Sequence, residues 1–235
     1  MKGQISALTF DFFQTLAHHG TGRGRGLEVV DYLQGHGLTH SPWRHAVLYD
    51  VFEPHLERYP LHGSDADRRR YRVELADRLF GCLGVTAPDG AAHEHADALW
   101  TLLGPSSLSV YPETRAVLGK LSRAGFAMAV VSNWHHGLAH FAHEMGIGSF
   151  FDHVVVSAEV DSFKPDGVIF AEAQRLLGVE PSRILHIGDQ LVDDVQGGRS
   201  AGVQVLLVDR EGQAGDPDVP TVRDLTGVLG VLGLG

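Results

Sequence analysis

The stretch LTFDFFQTL, residues 8–16, ends a short apolar run on an acidic side chain. Residues 4–10 have the length and apolar content of a strand, and Asp11 stops that strand abruptly. In open α/β sheets, ligands bind beyond the carboxyl ends of the strands. A carboxylate in this position is therefore a candidate for chemistry, provided that the strand belongs to such a sheet.

After about residue 110, apolar runs of strand length alternate with predicted helices. The predicted strands are 126–131, 154–157, 183–187 and 203–208. The predicted helices are 113–124, 135–145, 167–177, 191–201 and 222–232. This alternation predicts βαβ units with a parallel sheet, and short apolar strands fit a sheet that is buried on both faces.

The segment from about residue 20 to residue 105 has a different composition, rich in Arg, His, Glu and Leu. Its leucines recur at helical spacing over 75–83, and 94–103 is a second predicted helix. We therefore predict a helical insertion, residues 17–108, within an α/β core formed by residues 1–16 and 109–235.

The chain is acidic, because 19 Lys and Arg residues stand against 29 Asp and Glu residues, a net charge of −10. This balance argues against binding to nucleic acids or to anionic membranes, whose surfaces are also negative. Cys82 is the single cysteine, so an intrachain disulfide or a CxxC zinc site cannot form. No apolar run approaches the roughly 20 residues of a membrane span, and the N-terminal segment lacks the pattern of a signal peptide. We expect a cytoplasmic protein that acts on a small molecule.

Polar residues follow the predicted strands at Asp11, Ser132 and Asp189. A carboxylate can act as a nucleophile and form a covalent intermediate. Its attack on a phosphate ester brings two anions together, so a divalent cation and a lysine are needed to neutralise charge. Magnesium prefers carboxylate oxygens and water, and Asp189 can supply such an oxygen. Asp194 lies about one helical turn after Asp189, so its carboxylate can reach the same face. Lys164 is the main candidate for the lysine, since the chain has only three.

The order Asp11, Ser132, Lys164 and Asp189 resembles the four motifs of the haloacid dehalogenase-like (HAD) superfamily. The resemblance covers nearly the whole chain and includes a helical cap inserted after the first motif. It implies an α/β fold with a Rossmann-like parallel sheet core and a helical cap domain. It also implies a hydrolase and favours a magnesium-dependent phosphatase acting on a small organic phosphate.

The resemblance assigns a magnesium site to the acidic residues. Asp11 is then both nucleophile and metal ligand, and the backbone carbonyl of Phe13 is a second ligand. Asp189 is the third protein ligand. Either Asp194 or Asp193 supports the site from behind the direct ligands.

The resemblance also assigns residues to the substrate. Ser132 and Lys164 are expected to hold the phosphoryl oxygens, with Lys164 pairing with the carboxylates as well. Asn133 completes the catalytic set next to Ser132. Thr15 and Arg44 are the residues expected to contact the substrate.

One position departs from the phosphatase pattern. HAD phosphatases usually carry a second Asp two residues after the nucleophile, where it protonates the leaving oxygen, and this chain has Phe13 there. Losing a general acid typically costs about 10²–10⁴ in rate. We therefore expect aryl and acyl phosphates to be better substrates than alkyl phosphates, unless a histidine replaces the acid. The candidates for that role are His18, His19, His135 and His136.

Two other functions stay open at this point. The dehalogenases of the superfamily also lack the second Asp, and Arg44 lies where they place a halide-binding arginine. The fourth motif argues against a dehalogenase. Asp189, Asp193 and Asp194 make it the acidic type that the magnesium-dependent members of the superfamily carry. Three such charges beside Asp11 would disfavour a carboxylate site without a cation. The second of these other functions is that of a catalytically weakened binding protein with the same fold.

Each site residue also has a purely structural explanation. Asp11 could end a strand at a turn, Ser132 and Asp189 could cap the helices that follow them, and Lys164 could be a solvated surface lysine. The occurrence of all four in order is what favours a catalytic site.

Overall fold

A computed structural model describes residues 5–19, 25–42, 51, 64–103, 108–134, 137–212 and 218–235. The chain divides into two compact units. We call Met1–His18 with Val110–Gly235 the core unit and His19–Ser109 the insert unit. Each unit has its own buried apolar cluster.

The core unit contains a parallel sheet of six strands. In chain order they are β1 (Ala7–Phe10), β4 (Ala127–Ser132), β5 (His153–Val156), β6 (Ile184–Gly188), β7 (Gln204–Val208) and β8 (Thr221–Val222). Their order across the sheet is β5-β4-β1-β6-β7-β8, and every neighbouring pair is parallel. Two further short strands, β2 (Ala17–His19) and β3 (Leu108–Val110), form a separate two-stranded sheet. The predicted α/β fold with a parallel sheet is therefore confirmed.

β1 is central in the six-stranded sheet, between β4 and β6. All four of its residues are buried, as expected for a strand covered on both faces. Its last residue, Phe10, is level with Val130 of β4 and Ile187 of β6. Asp11 therefore leaves the sheet beside the carboxyl ends of both neighbouring strands.

Helices cover the sheet of the core unit. They are α4 (Thr114–Arg123), α5 (Leu138–Glu144), α6 (Ser157–Val160), α7 (Gly167–Leu177), α8 (Gly197–Ser200) and α9 (Thr226–Val231). Two short 3₁₀ turns, Gly148–Phe150 and Pro181–Arg183, precede β5 and β6. The boundaries of α7 follow from local chemistry. Asp166 caps its first turn by accepting from Val168 N at 3.0 Å, and Gly178 ends it at a φ of 63°.

The segment predicted as one helix over 191–201 is divided. A π-helical turn spans Leu191–Gln196 and runs into α8. In this wider turn the side chain of Asp194 is buried, whereas that of Val192 is exposed. This irregularity positions one of the acidic residues described below.

The insert unit is helical where the structure describes it, with α1 (Arg25–Gly35), α2 (Asp65–Leu83) and α3 (Ala91–Leu103). A capping box begins α2, because the Ser64 hydroxyl accepts from Asp67 N and the Asp67 carboxylate accepts from Ser64 N. Apolar residues of all three helices form the buried cluster, with Val29 and Leu33 from α1 and mainly Leu and Ala from α2 and α3. Asp97 of α3 pairs with Arg72 of α2 at 2.8 Å.

None of the helices in the described ranges combines the length and the apolar content that a membrane crossing requires. The longest, α2, has 19 residues and carries the run Arg68-Arg69-Arg70.

Candidate active site

Asp11 stands at the end of β1 and is almost fully buried. Its backbone N donates to the carbonyl of Ile187 at 2.8 Å, which extends the pairing of β1 with β6 by one residue. Its Oδ1 accepts from the Lys164 ammonium at 2.7 Å and from the Ser132 hydroxyl at 3.0 Å. The structure thus brings together the residues of the first three predicted motifs.

Asn133 fixes the backbone of Lys164. The Asn133 side-chain oxygen accepts from Lys164 N at 2.7 Å, and its amide nitrogen donates to the Lys164 carbonyl at 3.0 Å. The same amide nitrogen lies 3.4 Å from Asp193. Asn133 therefore connects the end of β4 to residues 161–166, which we call the lysine loop, and the geometry gives it a positioning role.

Asp194 is the acidic residue of the fourth motif that reaches the lysine. Its Oδ1 accepts from Lys164 Nζ at 2.6 Å and lies 3.0 Å from His186 Nε2. Its Oδ2 accepts from Gln190 N at 2.9 Å. Asp193, one residue earlier, faces Asn133 instead.

Asp189 lies at the mouth of the site. Its Oδ1 accepts from the buried Thr15 hydroxyl at 3.3 Å and its Oδ2 from the Gln190 side chain at 2.6 Å. Carboxylate oxygens of Asp11, Asp189 and Asp194 all lie within 4.8 Å of one another. Three carboxylates at this separation form a candidate site for a cation.

The close approach of the Asp194 side chain to the end of β6 requires a glycine at position 188. A Cβ built on Gly188 would lie 2.1 Å from Cγ of Asp194, far closer than two carbon atoms approach. The absent side chain lets the Asp194 carboxylate lie against the end of β6.

The charges of the site are unbalanced. Burial raises the pKa of Asp11, although the charge of Lys164 opposes this. Burial alone would lower the pKa of Lys164, but the charges of Asp11 and Asp194 outweigh it and raise that pKa. Burial opposes ionisation of Asp194, but Lys164 and the hydrogen bond from His186 outweigh it and lower its pKa.

The ionisation of Asp189 is also disfavoured. Its burial and the charges of Asp11 and Asp194 raise its pKa to about 7. One ammonium group therefore stands against three carboxylates, and a second positive charge would complete the site.

Phe13, which replaces the usual second Asp, is half-buried. Its ring centroid lies 6.3 Å from that of Trp134, and the neighbouring Phe12 packs on the same Trp134 at 5.8 Å. The side chain at this position is therefore part of an aromatic cluster.

Of Arg44 and the four candidate replacement acids, His18 is the one whose side chain lies within the described residues. His18, a candidate replacement acid, stacks on Tyr111 with ring centroids 4.4 Å apart. Arg44, His135 and His136 lie outside the described residues, and so does the side chain of His19.

A second cluster, next to Asp189, was not predicted. Arg210, just after β7, donates to the carbonyls of Gln14 and Thr15 and to Glu113. Tyr111 lies beneath the guanidinium of Arg210. A cavity of about 530 Å³ opens beside this cluster, and its lining includes Gln14, Tyr111, Asp189, Gln190 and Arg210. The only sequence signal was an Arg two residues after an apolar strand, which is too common to single out.

Comparison with known proteins identifies the family. A model of haloacid dehalogenase-like hydrolases matches residues 5–202. The chain therefore belongs to the haloacid dehalogenase-like hydrolase family, as the four ordered motifs indicated.

Relatives and solved structures of different activities resemble the chain. It is 28% identical over 227 residues to haloacid dehalogenase-like hydrolase domain-containing protein 3 of Bos taurus, covering 94% of this chain and 87% of that protein. It is 31% identical over 194 residues to a phosphoserine phosphatase of Thermus thermophilus, covering 77% and 74%. The structure of L-2-haloacid dehalogenase from Xanthobacter autotrophicus matches with a TM-score of 0.64 at 21% identity, covering 97% and 98%. This structural likeness shows a shared fold.

Proposed function

We propose that the protein is a magnesium-dependent phosphatase for a small organic phosphate, with Asp11 as the nucleophile. The observation that carries the proposal is the placement of Asp11, Asp189 and Asp194 within 4.8 Å of one another with Lys164 as their ammonium partner. Such a site favours a divalent cation, and a site for a cation next to a nucleophilic carboxylate suits phosphoryl transfer.

The donor set fits magnesium. Magnesium binds through carboxylate and carbonyl oxygens with several waters, and carboxylates are the donors that this site offers. Asp11, the carbonyl of Phe13 and Asp189 would hold the ion, while Asp194 holds Lys164 in place. When bound, the ion neutralises the carboxylates and the phosphoryl oxygens so that two anions can approach.

The residues of the chain supply the nucleophile and the groups that bind the phosphoryl oxygens. An oxygen of the Asp11 carboxylate attacks phosphorus, a P–O bond to Asp11 forms, and the bond between phosphorus and the leaving oxygen breaks. Lys164 and Ser132 contact Oδ1 of Asp11, which supports our proposal that they bind phosphoryl oxygens. Water then attacks phosphorus and loses a proton to the solvent, the P–O bond to Asp11 breaks, and inorganic phosphate and the free Asp11 carboxylate are released.

Phe13 limits the first step. Its hydrocarbon ring cannot give a proton to the leaving oxygen, so the oxygen departs as an anion and takes its proton from water. Substrates whose leaving oxygen is stable as an anion should therefore react best.

Phe13 also favours a second candidate function, a 2-haloacid dehalogenase. Displacement of halide needs no general acid, since halide leaves as a stable anion. There Asp11 would attack the carbon that bears the halogen, halide would depart, and water would hydrolyse the ester. The acidic cluster argues for the phosphatase over this alternative.

The test is hydrolysis of p-nitrophenyl phosphate by the purified protein with magnesium and then with EDTA. We expect magnesium-dependent turnover that Asp11→Asn abolishes and that Asp77→Asn, the same change on an exposed face of α2, leaves intact. No turnover with magnesium would refute the phosphatase. Halide release from 2-haloacids in the same preparation would then establish the dehalogenase, and failure of both would favour a binding protein.

A further inference from the structure

A closed ring of buried polar side chains connects β1, β6 and the lysine loop. Thr9 Oγ1 lies 2.9 Å from His186 Nδ1, and His186 Nε2 lies 3.0 Å from Oδ1 of Asp194. Asp194 contacts Lys164, and Lys164 contacts Asp11, two residues after Thr9. The ring therefore starts on β1 and ends directly after it, and Thr9 and His186 are its members that the proposed mechanism does not use.

The strand pairing fixes where His186 lies. Thr9 and His186 are register partners in the parallel pair of β1 with β6. The His186 side chain has no solvent exposure, and the ring of Phe170 packs edge-on against it at 4.9 Å between centroids. This packing on a regular strand holds the imidazole in one orientation, with one ring nitrogen toward Thr9 and the other toward Asp194.

The partners of His186 determine its tautomer. An ionised Asp194 can only accept, so Nε2 must carry the hydrogen that it shares with Asp194. In the neutral imidazole, Nδ1 is then an acceptor, and the Thr9 hydroxyl donates to it. Asp194 thus sets the tautomer, and the Thr9 hydroxyl holds that form of the imidazole in place by donating to Nδ1.

Oδ1 of Asp194 accepts from both His186 and Lys164. The imidazole at Oδ1 and the Gln190 N–H at Oδ2 together fix the rotation of this carboxylate, and the carboxylate in turn fixes where the ammonium of Lys164 lies. The ammonium is 2.6 Å from Asp194 and 2.7 Å from Asp11, so a rotation of Asp194 would move it relative to the nucleophile.

From this geometry we infer that His186 is a positioning residue, which holds the Lys164 ammonium on Asp11 by orienting Asp194 and is itself oriented by Thr9. The inference rests on the proposed function for its effect on turnover. Residues that orient direct participants in this way typically contribute about 10–100-fold to activity.

Two pairs of variants separate positioning from general packing. His186→Leu removes the donor, whereas His186→Gln keeps an amide N–H at about the reach of Nε2. Thr9→Val removes only the hydroxyl at nearly constant shape, whereas Thr9→Ser keeps it. His140→Leu, an exposed histidine of α5, is the control.

We expect His186→Leu to lower kcat by about 10–100-fold with KM changed by less than about twofold, and His186→Gln to recover most of the loss. Thr9→Val should lower kcat several-fold, and Thr9→Ser and His140→Leu should leave it unchanged. Equal losses in His186→Leu and His186→Gln, or an unchanged kcat in His186→Leu, would overturn the inference.

A nuclear magnetic resonance measurement tests the same inference without turnover. In ¹⁵N-histidine-labelled protein, the ring signals missing from His186→Gln identify His186, and they should show a hydrogen on Nε2 with an unprotonated Nδ1. The ¹⁵N-labelled Lys164 ammonium should exchange its hydrogens faster in His186→Leu than in the wild type. A wild-type protein inactive on phosphates would refute the proposed function alone. A hydrogen on Nδ1 facing Thr9, or unchanged Lys164 exchange, would refute the positioning role.

Discussion

The guanidinium carbon of Arg210 lies 3.3 Å above the centre of the Tyr111 ring. The same group donates to the carbonyl of Thr15 at 2.9 Å and to that of Gln14 at 3.2 Å, and it pairs with Glu113 at 2.8 Å. Arg210 therefore fixes the loop after Asp11, including Thr15, whose hydroxyl contacts Asp189.

This arrangement predicts that Arg210→Lys is not a conservative change. A lysine keeps the charge but lacks the planar fork that serves three acceptors and stacks on Tyr111. We expect a loss of about 1–3 kcal/mol in the free energy of unfolding and weaker magnesium binding, because Thr15 is no longer held against Asp189. Urea unfolding and calorimetric magnesium titration measure the two effects.

The matched control is Arg175→Lys. Arg175 also forms a two-pronged contact, with Glu172, but on the exposed face of α7, where such pairs contribute little. Equal effects of the two substitutions would show that Arg210 has no special role.

Gly188→Ala should disrupt the acidic site. The new Cβ would meet the Asp194 carboxylate at 2.1 Å from its Cγ, so either β6 or the π-helical turn must shift. Overpacking of this kind typically costs about 1–3 kcal/mol, and here it also displaces the partner of Lys164. Urea unfolding and magnesium-dependent turnover should both decline, whereas Gly167→Ala, where an added Cβ has no neighbour within 4 Å, should change neither.

The raised pKa of Asp189, about 7, predicts a pH dependence of the stability of the metal-free protein. An unfolded Asp loses its proton near pH 4, so between about pH 4 and 7 the native state binds more protons than the unfolded state. The contribution of Asp189 to stability therefore falls as pH rises through this window. With EDTA present, Asp189→Asn should gain stability relative to wild type from pH 5 to pH 8.

Urea unfolding of both proteins at several pH values measures this difference. Parallel pH profiles for wild type and Asp189→Asn would contradict the assignment. With saturating magnesium the wild type should instead gain stability at the upper end of the window, because the ion binds the ionised carboxylate and binds only the native site.

The sequence predicted the strand ends well because apolar runs stop abruptly at Asp11, Ser132 and Asp189. The scarcity of lysine singled out Lys164, which the structure places on Asp11. The sequence could not show which of Asp193 and Asp194 faces Lys164. The answer depends on a π-helical turn, which regular helical spacing does not predict.

The sequence also could not identify residues whose partners lie far away along the chain. His186 appeared as a polar residue in an apolar strand, and Arg210 as an arginine after one. Their roles depend on which strands are neighbours and in what register, which composition and local spacing do not specify. Tertiary contacts between residues 97 to 196 positions apart cannot be inferred from local patterns.

The last prediction concerns the residue that replaces the usual acid. Phe13→Asp should supply a proton donor for the leaving oxygen, and Phe13→Asn is the control because it has the same shape without an acid. We expect Phe13→Asp to raise kcat/KM for alkyl phosphates relative to p-nitrophenyl phosphate, by up to about 10²–10⁴, since only the poorer leaving group needs the proton. The ratio of the two kcat/KM values measures this and cancels any general loss caused by removing the contact with Trp134. An equal ratio in the Asp and Asn variants would mean that protonation of the leaving oxygen does not limit this enzyme, and that another group already supplies the proton.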